Sequence, residues 1–296
     1  MNSRWNLITL LLLGTIWGAS FLFIKLAVAD IPPFTLAFVR VVLAAVALIV
    51  VIRLRGMRMP AFGPIWAVYL LMGLLNGAVP YSLISAGETV IDSGLAAILN
   101  ATMPIFALIL AHFWTDERLT WRRSLGILSG LAGVVVLVGA DALSGLGAHF
   151  WAQMAVVGAS FSYALGAIAG RRFLKDYPPI VSSAGQFVGG AVILAPLSLV
   201  FDRPWTLSPS AAAIGSLLTL ALLGTAVAYM LYYFLIRHAG VTYTSLVTFL
   251  LPVSGVLWGM FLLGEKLPWR ALLALVLILA GIWLTSGRRA IDGGRR

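Results

Sequence analysis

Residues 99–139 recur without a gap as residues 247–287, at a shift of 148 positions. Pro104 falls on Pro252, Glu117 on Glu265, Trp121 on Trp269, Gly133 on Gly281 and Gly139 on Gly287. Two copies of one unit in a single chain restrict the fold severely, because each copy must supply half of whatever is built. The correspondence extends upstream. Gly18-Ala19-Ser20-Phe21 reappears as Gly158-Ala159-Ser160-Phe161, and Pro32-Pro33 as Pro178-Pro179, which sets Arg40 on Gln186. Leu75, Ala78, Val79 and Tyr81 match Leu223, Ala226, Val227 and Tyr229. The first unit is read as 1–147 and the second as 148–296, together one integrated domain.

The solvent of these units is lipid. Hydrophobic residues make up 61% of the chain and charged residues only 10%, against about 25% charged in soluble domains. Apolar runs broken by charge or by Pro/Gly clusters predict ten helices, numbered 1 to 10, over 5–28, 33–52, 64–85, 93–114, 122–140, 150–170, 179–201, 211–236, 241–263 and 268–286. Each is near the ~20 residues needed to span a bilayer. Alternating barrel patterns are absent, and lipid forbids open strand edges. The expected fold is therefore an all-α integral membrane protein. Five spans per copy is an odd number, so the copies must lie upside down relative to each other. Such inverted repeats build a central site that opens to either side in turn, the architecture of secondary transporters.

Orientation follows from Lys and Arg. With the N-terminus inside, fifteen of the twenty fall in inner segments, three (Arg203, Lys266 and Arg270) fall outside, and Lys25 and Arg40 lie within apolar runs. The positive-inside rule then places both termini in the cytoplasm. The same rule accounts for the net charge of +10 and leaves no role for nucleic acid. The first run is too long for a cleaved signal peptide and has similar runs after it. With no cysteine in the chain, disulfides, thiolate chemistry and Cys metal sites are excluded. Walker loops, HExxH pairs and dinucleotide glycine motifs are likewise absent, so no enzymatic activity, cofactor or metal is expected. Asn100-Ala101-Thr102 spells a glycosylation sequon, but it lies inside an apolar span and is discounted.

The duplicated Pro104 and Pro252, the Asp116-Glu117 and Gly264-Glu265 elements with a Leu-x-Trp stretch after each Glu, the closing Gly133 and Gly281, and Arg40 in helix 2 resemble the drug/metabolite transporter superfamily, in its ten-helix EamA-like branch. Within that branch the chain is most similar to bacterial aromatic amino acid exporters. The resemblance implies a carrier in the bacterial cytoplasmic (inner) membrane that exports or exchanges small metabolites, amino acids among them.

Candidate site residues come from depth. Ionisable groups inside a bilayer are costly, which singles out Lys25 and Arg40 at similar depth near the outer side. They either form a cationic pair for a substrate carboxylate, or Lys25 snorkels outward while Arg40 binds Asp30, Glu88 or helix-end carbonyls. His112 reads as an interfacial hydrogen-bonder. Every carboxylate is placed at an outer or inner edge, including Glu88, so proton coupling has no evident carrier. The small four-helix relatives use a Glu in helix 1 for cationic drugs; here Trp17 and Ser20 occupy that region.

Polar and aromatic residues at midspan form the expected lining: Trp17, Ser20, Asn76, Tyr81, Ser85 and Asn100 in the first half, and Ser160, Tyr163, Tyr229, Tyr233, Thr244, Thr248 and Trp258 in the second. Such groups turn toward protein or a wet cavity, either as a ligand pocket or as interhelical glue. Tyr81 and Tyr229 stand out because they are repeat-matched and combine an apolar face with a hydrogen-bonding tip. Trp5, Trp66 and Trp269 read as interfacial belt residues. Pro80, Pro104 and Pro252 each remove a backbone donor at depth, as hinges or as static kinks. Together these features favour export of large neutral, especially aromatic, amino acids by alternating access. The alternatives are a neutral metabolite or drug, and a passive channel, which the aliphatic and aromatic midspans disfavour.

Overall fold

The computed structural model describes residues 3–114, 120–143 and 147–286. All regular structure among them is helical. Helices 1, 2, 5 and 6 are Ser3–Ala27, Pro33–Leu54, Trp121–Leu143 and Ala148–Phe173. Helices 3, 4, 7 and 8 are Ile65–Glu88, Ser93–Trp114, Pro179–Asp202 and Ala211–Gly240. Eight helices are long and apolar enough to cross a membrane, and two shorter apolar ones, helices 9 (Val247–Leu263) and 10 (Trp269–Ser286), complete the set. The expected boundaries shift by a few residues, and helix 9 is preceded by a separate turn, Val241–Thr244.

Four spans depart from a regular α-helix, helix 7 by ending in a π turn at Ser198–Asp202. Helices 3 and 8 each widen into a π turn, Leu74–Ala78 and Leu222–Val227. These segments are repeat equivalents, 148 positions apart. Helix 4 stops at Asn100 and restarts at Met103. Pro104 explains that break, since it offers no N–H to the Asn100 carbonyl and its ring would crowd it. Pro252 behaves differently: it sits inside continuous helix 9, while the discontinuity of that span lies earlier, between Thr244 and Val247.

Inversion is visible in helices 5 and 10. Gly281 packs on Gly126 and Gly130, and Gly133 on Ala274 and Ile278. Position rises along one helix as it falls along the other, so the pair is antiparallel. Ser129, the repeat equivalent of Leu277, donates to the Leu277 carbonyl at 2.8 Å. Gly126 corresponds to Ala274 and Gly130 to Ile278, so each contact has its mate under exchange of the halves. A pseudo-two-fold axis through an antiparallel pair of equivalent helices is the signature of upside-down repeats. Other packing obeys the same exchange: helix 1 on 9 mirrors helix 6 on 4, helix 1 on 8 mirrors 6 on 3, and helix 3 on 7 mirrors 8 on 2.

Backbones approach most closely between helices 3 and 7. A Cβ on Gly73 would lie 2.2 Å from the Gly190 nitrogen, and one on Gly189 2.3 Å from the Tyr69 carbonyl oxygen. Small residues give membrane helices the contact area that the hydrophobic effect does not drive in lipid.

Candidate functional site

The π turns of helices 3 and 8 organise the centre. A π turn inserts one residue into the hydrogen-bond ladder and frees a carbonyl, a device that recurs at functional positions. In helix 3 the Leu75 carbonyl accepts from the Ser162 hydroxyl of helix 6 at 2.8 Å. Arg40 on helix 2 reaches into the helix 8 π turn, its Nε donating to Thr225 Oγ1 at 2.9 Å; Thr225 in turn donates to the Leu220 carbonyl. Its repeat equivalent Gln186, on helix 7, reaches into the helix 3 π turn and accepts from Asn76 Nδ2 at 3.3 Å. Each half thus sends one polar side chain into the widened turn of the other. Only the first half sends a charge.

Arg40 is 6% exposed, and its guanidinium carbon stands 3.9 Å from the centre of the Tyr81 ring. Among the described residues no carboxylate pairs with it, and of its five N–H donors only Nε is bonded to protein. A buried guanidinium held by one hydroxyl and one aromatic face has strong unused capacity for an anion.

Aromatic rings continue from this point. Tyr81 meets Tyr163 edge-on at 6.5 Å. Tyr229 contacts Phe187 at 5.2 Å, Trp17 at 6.1 Å and Tyr233 at 6.1 Å. Tyr232 adds contacts to Trp17 and Tyr233, and the Tyr233 hydroxyl is anchored on Ser183 at 2.7 Å. The rings come from helices 1, 3, 6, 7 and 8, so both halves contribute.

The structure gathers Trp17, Tyr81, Tyr163, Tyr229, Asn76 and Arg40 around this centre. Asn100 lies at the helix 4 break, half-buried, with the Ser160 hydroxyl 3.4 Å from its Oδ1. Ser85 is buried one turn beyond Tyr81 on helix 3. Ser20 and Thr248 bond backbone carbonyls of their own spans, Ile16 and Ser245, and Trp258 takes part in none of the ring contacts. Lys25 neither snorkels nor faces the rings: its Nζ donates to the Glu88 and Ile91 carbonyls, each at 2.8 Å, capping the end of helix 3. Pro80 follows the helix 3 π turn. Glu88, expected at a solvated edge, is fully enclosed. The Asp116-Glu117 element and the last ten residues lie outside the described residues. Thr225, Phe187 and Tyr232 were not singled out by sequence; the only signals were the spacing of Tyr232 one turn after Tyr229 and the match of Thr225 to Gly77.

One end of the bundle is tied across the halves by carboxylates on helix N-termini, whose first N–H groups lack intrahelical partners. Glu265 accepts from Ser93 N, Ser93 Oγ and Gly94 N at 2.8, 2.7 and 2.9 Å. Asp202 accepts from Thr35 N at 2.6 Å, and Asp30 from the hydroxyl and N–H of Ser210. In all three contacts the partners come from opposite halves. The Ser210 hydroxyl, then its backbone N–H, holds the Asp30 carboxyl below the usual carboxylate range. This acidic end is the one the charge distribution assigns to the outside.

An inverted pair of five-helix units enclosing a polar and aromatic centre is a carrier's framework, and comparison with known proteins names the framework. The EamA-like transporter family matches residues 4–139 and again 150–287. The chain belongs to this family. An inner membrane transporter of Escherichia coli, YedA, named uncharacterized, is 31% identical over 288 residues, covering 93% of this chain and 91% of its own. The uncharacterized transporter YoaV of Bacillus subtilis is 24% identical over 271 residues, 92% of this chain and 93% of YoaV. A solved crystal structure superposes with a TM-score of 0.67 at 19% identity, covering 96% of both chains, and so shares the fold. The protein is thus a multi-pass membrane transporter of the EamA-like family.

Proposed function

We propose that this EamA-like transporter exports large neutral amino acids, aromatic ones foremost, by alternating access from the bacterial cytoplasmic membrane, with both termini in the cytoplasm. One observation carries the substrate class: Arg40, buried between Thr225 and Tyr81 with no carboxylate partner among the described residues, opens onto a cluster of rings. A substrate carboxylate completes the guanidinium's hydrogen bonding, and a bidentate pair gives both energy and orientation. The apolar side chain then lies among Trp17, Phe187, Tyr229 and Tyr232, where offset and edge-on ring contacts each contribute about 0.5–1.5 kcal/mol. An ammonium is accepted by aromatic faces and hydroxyls, through cation–π contacts worth roughly 0.5–2 kcal/mol. On this reading the carboxylate contacts at the acidic end act as the seal of a state closed to the outside. Opening that end while the opposite end closes delivers the substrate.

Reconstituted protein tests the reading. Vesicles preloaded with phenylalanine should accelerate uptake of labelled phenylalanine, as a carrier does and a pore does not. Phenylalaninamide, which lacks the carboxylate, should be transported far more slowly. Equal rates for acid and amide would overturn the amino-acid reading and leave a neutral metabolite or drug as the cargo.

A further inference from the structure

Two turns beyond Tyr81 on helix 3, the side chain of Glu88 has 0% exposure, and neither carboxyl oxygen has a hydrogen-bond partner. Positions 81, 85 and 88 share one face of a helix, so Glu88 caps a stripe that leads through the Ser85 hydroxyl to the Tyr81 ring under Arg40. The transport function proposed above gives Glu88 no task. Structural roles usually leave a visible partner, and here even the nearest cation is engaged elsewhere: Lys25 donates to the backbone carbonyl of Glu88 and to Ile91.

We propose that Glu88 is the proton-carrying residue of this transporter, a neutral carboxylic acid in the substrate-free state shut at the acidic end and an ionised carboxylate from the entry of substrate until its release. An ionised carboxylate deprived of water and of donors is among the costliest groups to bury, whereas the neutral acid is tolerated. The charged groups close enough to act on it are Lys25 of helix 1, Arg40 of helix 2 and Glu265 of the segment after helix 9. Helix 6 contributes Tyr163, deeper and against Tyr81, and the adjacent half of helix 4, Ser93–Asn100, holds no titratable side chain. Glu265 disfavours a second negative charge there, and it does so most while it clasps Ser93 and Gly94. Parting of that clasp removes the like charge and admits water. Glu88 then exchanges its proton with the outside.

The balance of the cycle is one proton against one substrate. After substrate leaves at the acidic end, the carboxylate takes a proton from external water and the empty carrier returns with Glu88 neutral. When substrate enters from the other side, the proton passes along the Ser85 face toward the wetted site and the cytoplasm, and the carboxylate left behind is compensated by Lys25. No covalent bond other than O–H is made or broken. The device links export to the inward proton gradient.

The inference rests on alternating access by a substrate-carrying site, so its test has one arm without substrate. Infrared spectra of wild-type protein reconstituted at neutral pH should contain a protonated-carboxyl carbonyl band that disappears in both Glu88→Gln and Glu88→Ala. Absence of that band from the wild type overturns the proposal, whatever the cargo proves to be. In the second arm, vesicles carrying a lumenal pH dye are loaded with phenylalanine. Wild-type efflux should move protons the opposite way, and Glu88→Gln should lose proton movement and pH-gradient stimulation while retaining phenylalanine exchange. Proton movement unchanged in Glu88→Gln, or phenylalanine exchange by the wild type with no proton movement, refutes it. Failure of phenylalanine to be transported at all refutes the cargo instead and leaves the infrared arm to decide Glu88.

Discussion

Glu265→Gln should open the acidic end. The carboxylate receives three hydrogen bonds from the first turn of helix 4, two on Oε1 from Ser93 and one on Oε2 from Gly94 N. A glutamine keeps one accepting oxygen for Ser93, but it turns an NH2 group toward the Gly94 N–H, so one charge-assisted bond is lost and two donors face each other. Loss of such a bond costs about 1.5–3 kcal/mol. Glu265 is half-exposed, and screening by water puts the effect at the low end, ~1.5 kcal/mol. That shifts the closed-to-open ratio by about tenfold. The reporter is a cysteine at Val256, which is 5% exposed on helix 9 with its Cα opposite Gly94. Because the chain has no cysteine of its own, alkylation of Val256→Cys by an impermeant maleimide reads only this seam. Labelling should be slow in the parent and about ten times faster with Glu265→Gln. Lys266→Gln, a neighbouring charge with no part in the clasp, should leave the rate unchanged. Equal labelling of Glu265→Gln and its parent would show that the carboxylate does not hold this end shut.

Other outcomes follow from the same geometry. Arg40→Gln should raise the KM for phenylalanine at least tenfold, about 1.4 kcal/mol, while scarcely changing transport of phenylalaninamide; parallel loss for both would mark Arg40 as structural. Alanine at Tyr81 or Tyr229 should reduce transport with protein still folded in the membrane, and normal transport by both would remove the rings from the lining. Gly73→Val should lower the Tm in detergent, because its Cβ would meet the Gly190 nitrogen at 2.2 Å and backbone cannot yield, a misfit of about 1–3 kcal/mol or more; Gly215→Ala, with open space around it, should not. Cysteines at Ser208 and Arg55 should label from the outside and the inside respectively, and the reverse pattern would invert the topology.

Lipid makes some of this protein legible as a string of letters. Backbone polar groups in a bilayer must be satisfied within each span, so ten apolar runs could only be ten helices, and a repeat of five could only be inverted. The pairing of Arg40 with Gln186 and of Tyr81 with Tyr229 was available from the same alignment. What those residues touch was not. The π turns, Leu74–Ala78 and Leu222–Val227, each hold a glycine, a weak helix former, but no sequence pattern announces that the turn widens there or which side chain it receives. Depth in the membrane is also a poor guide to enclosure. Chain position assigns Glu88 to a wet edge and leaves Lys25 as one of a substrate-facing pair or snorkelling outward, yet the neighbouring helices seal the first and turn the second onto helix-end carbonyls. Trp258 is as central by counting as Trp17, but only Trp17 faces the rings. Composition and periodicity thus determined the solvent, the helices and the inversion, because those follow from local hydrogen bonding and hydropathy. Which side chains converge on one centre was decided by packing between segments from opposite halves of the chain, such as Trp17 and Tyr232, a relation that no local pattern contains.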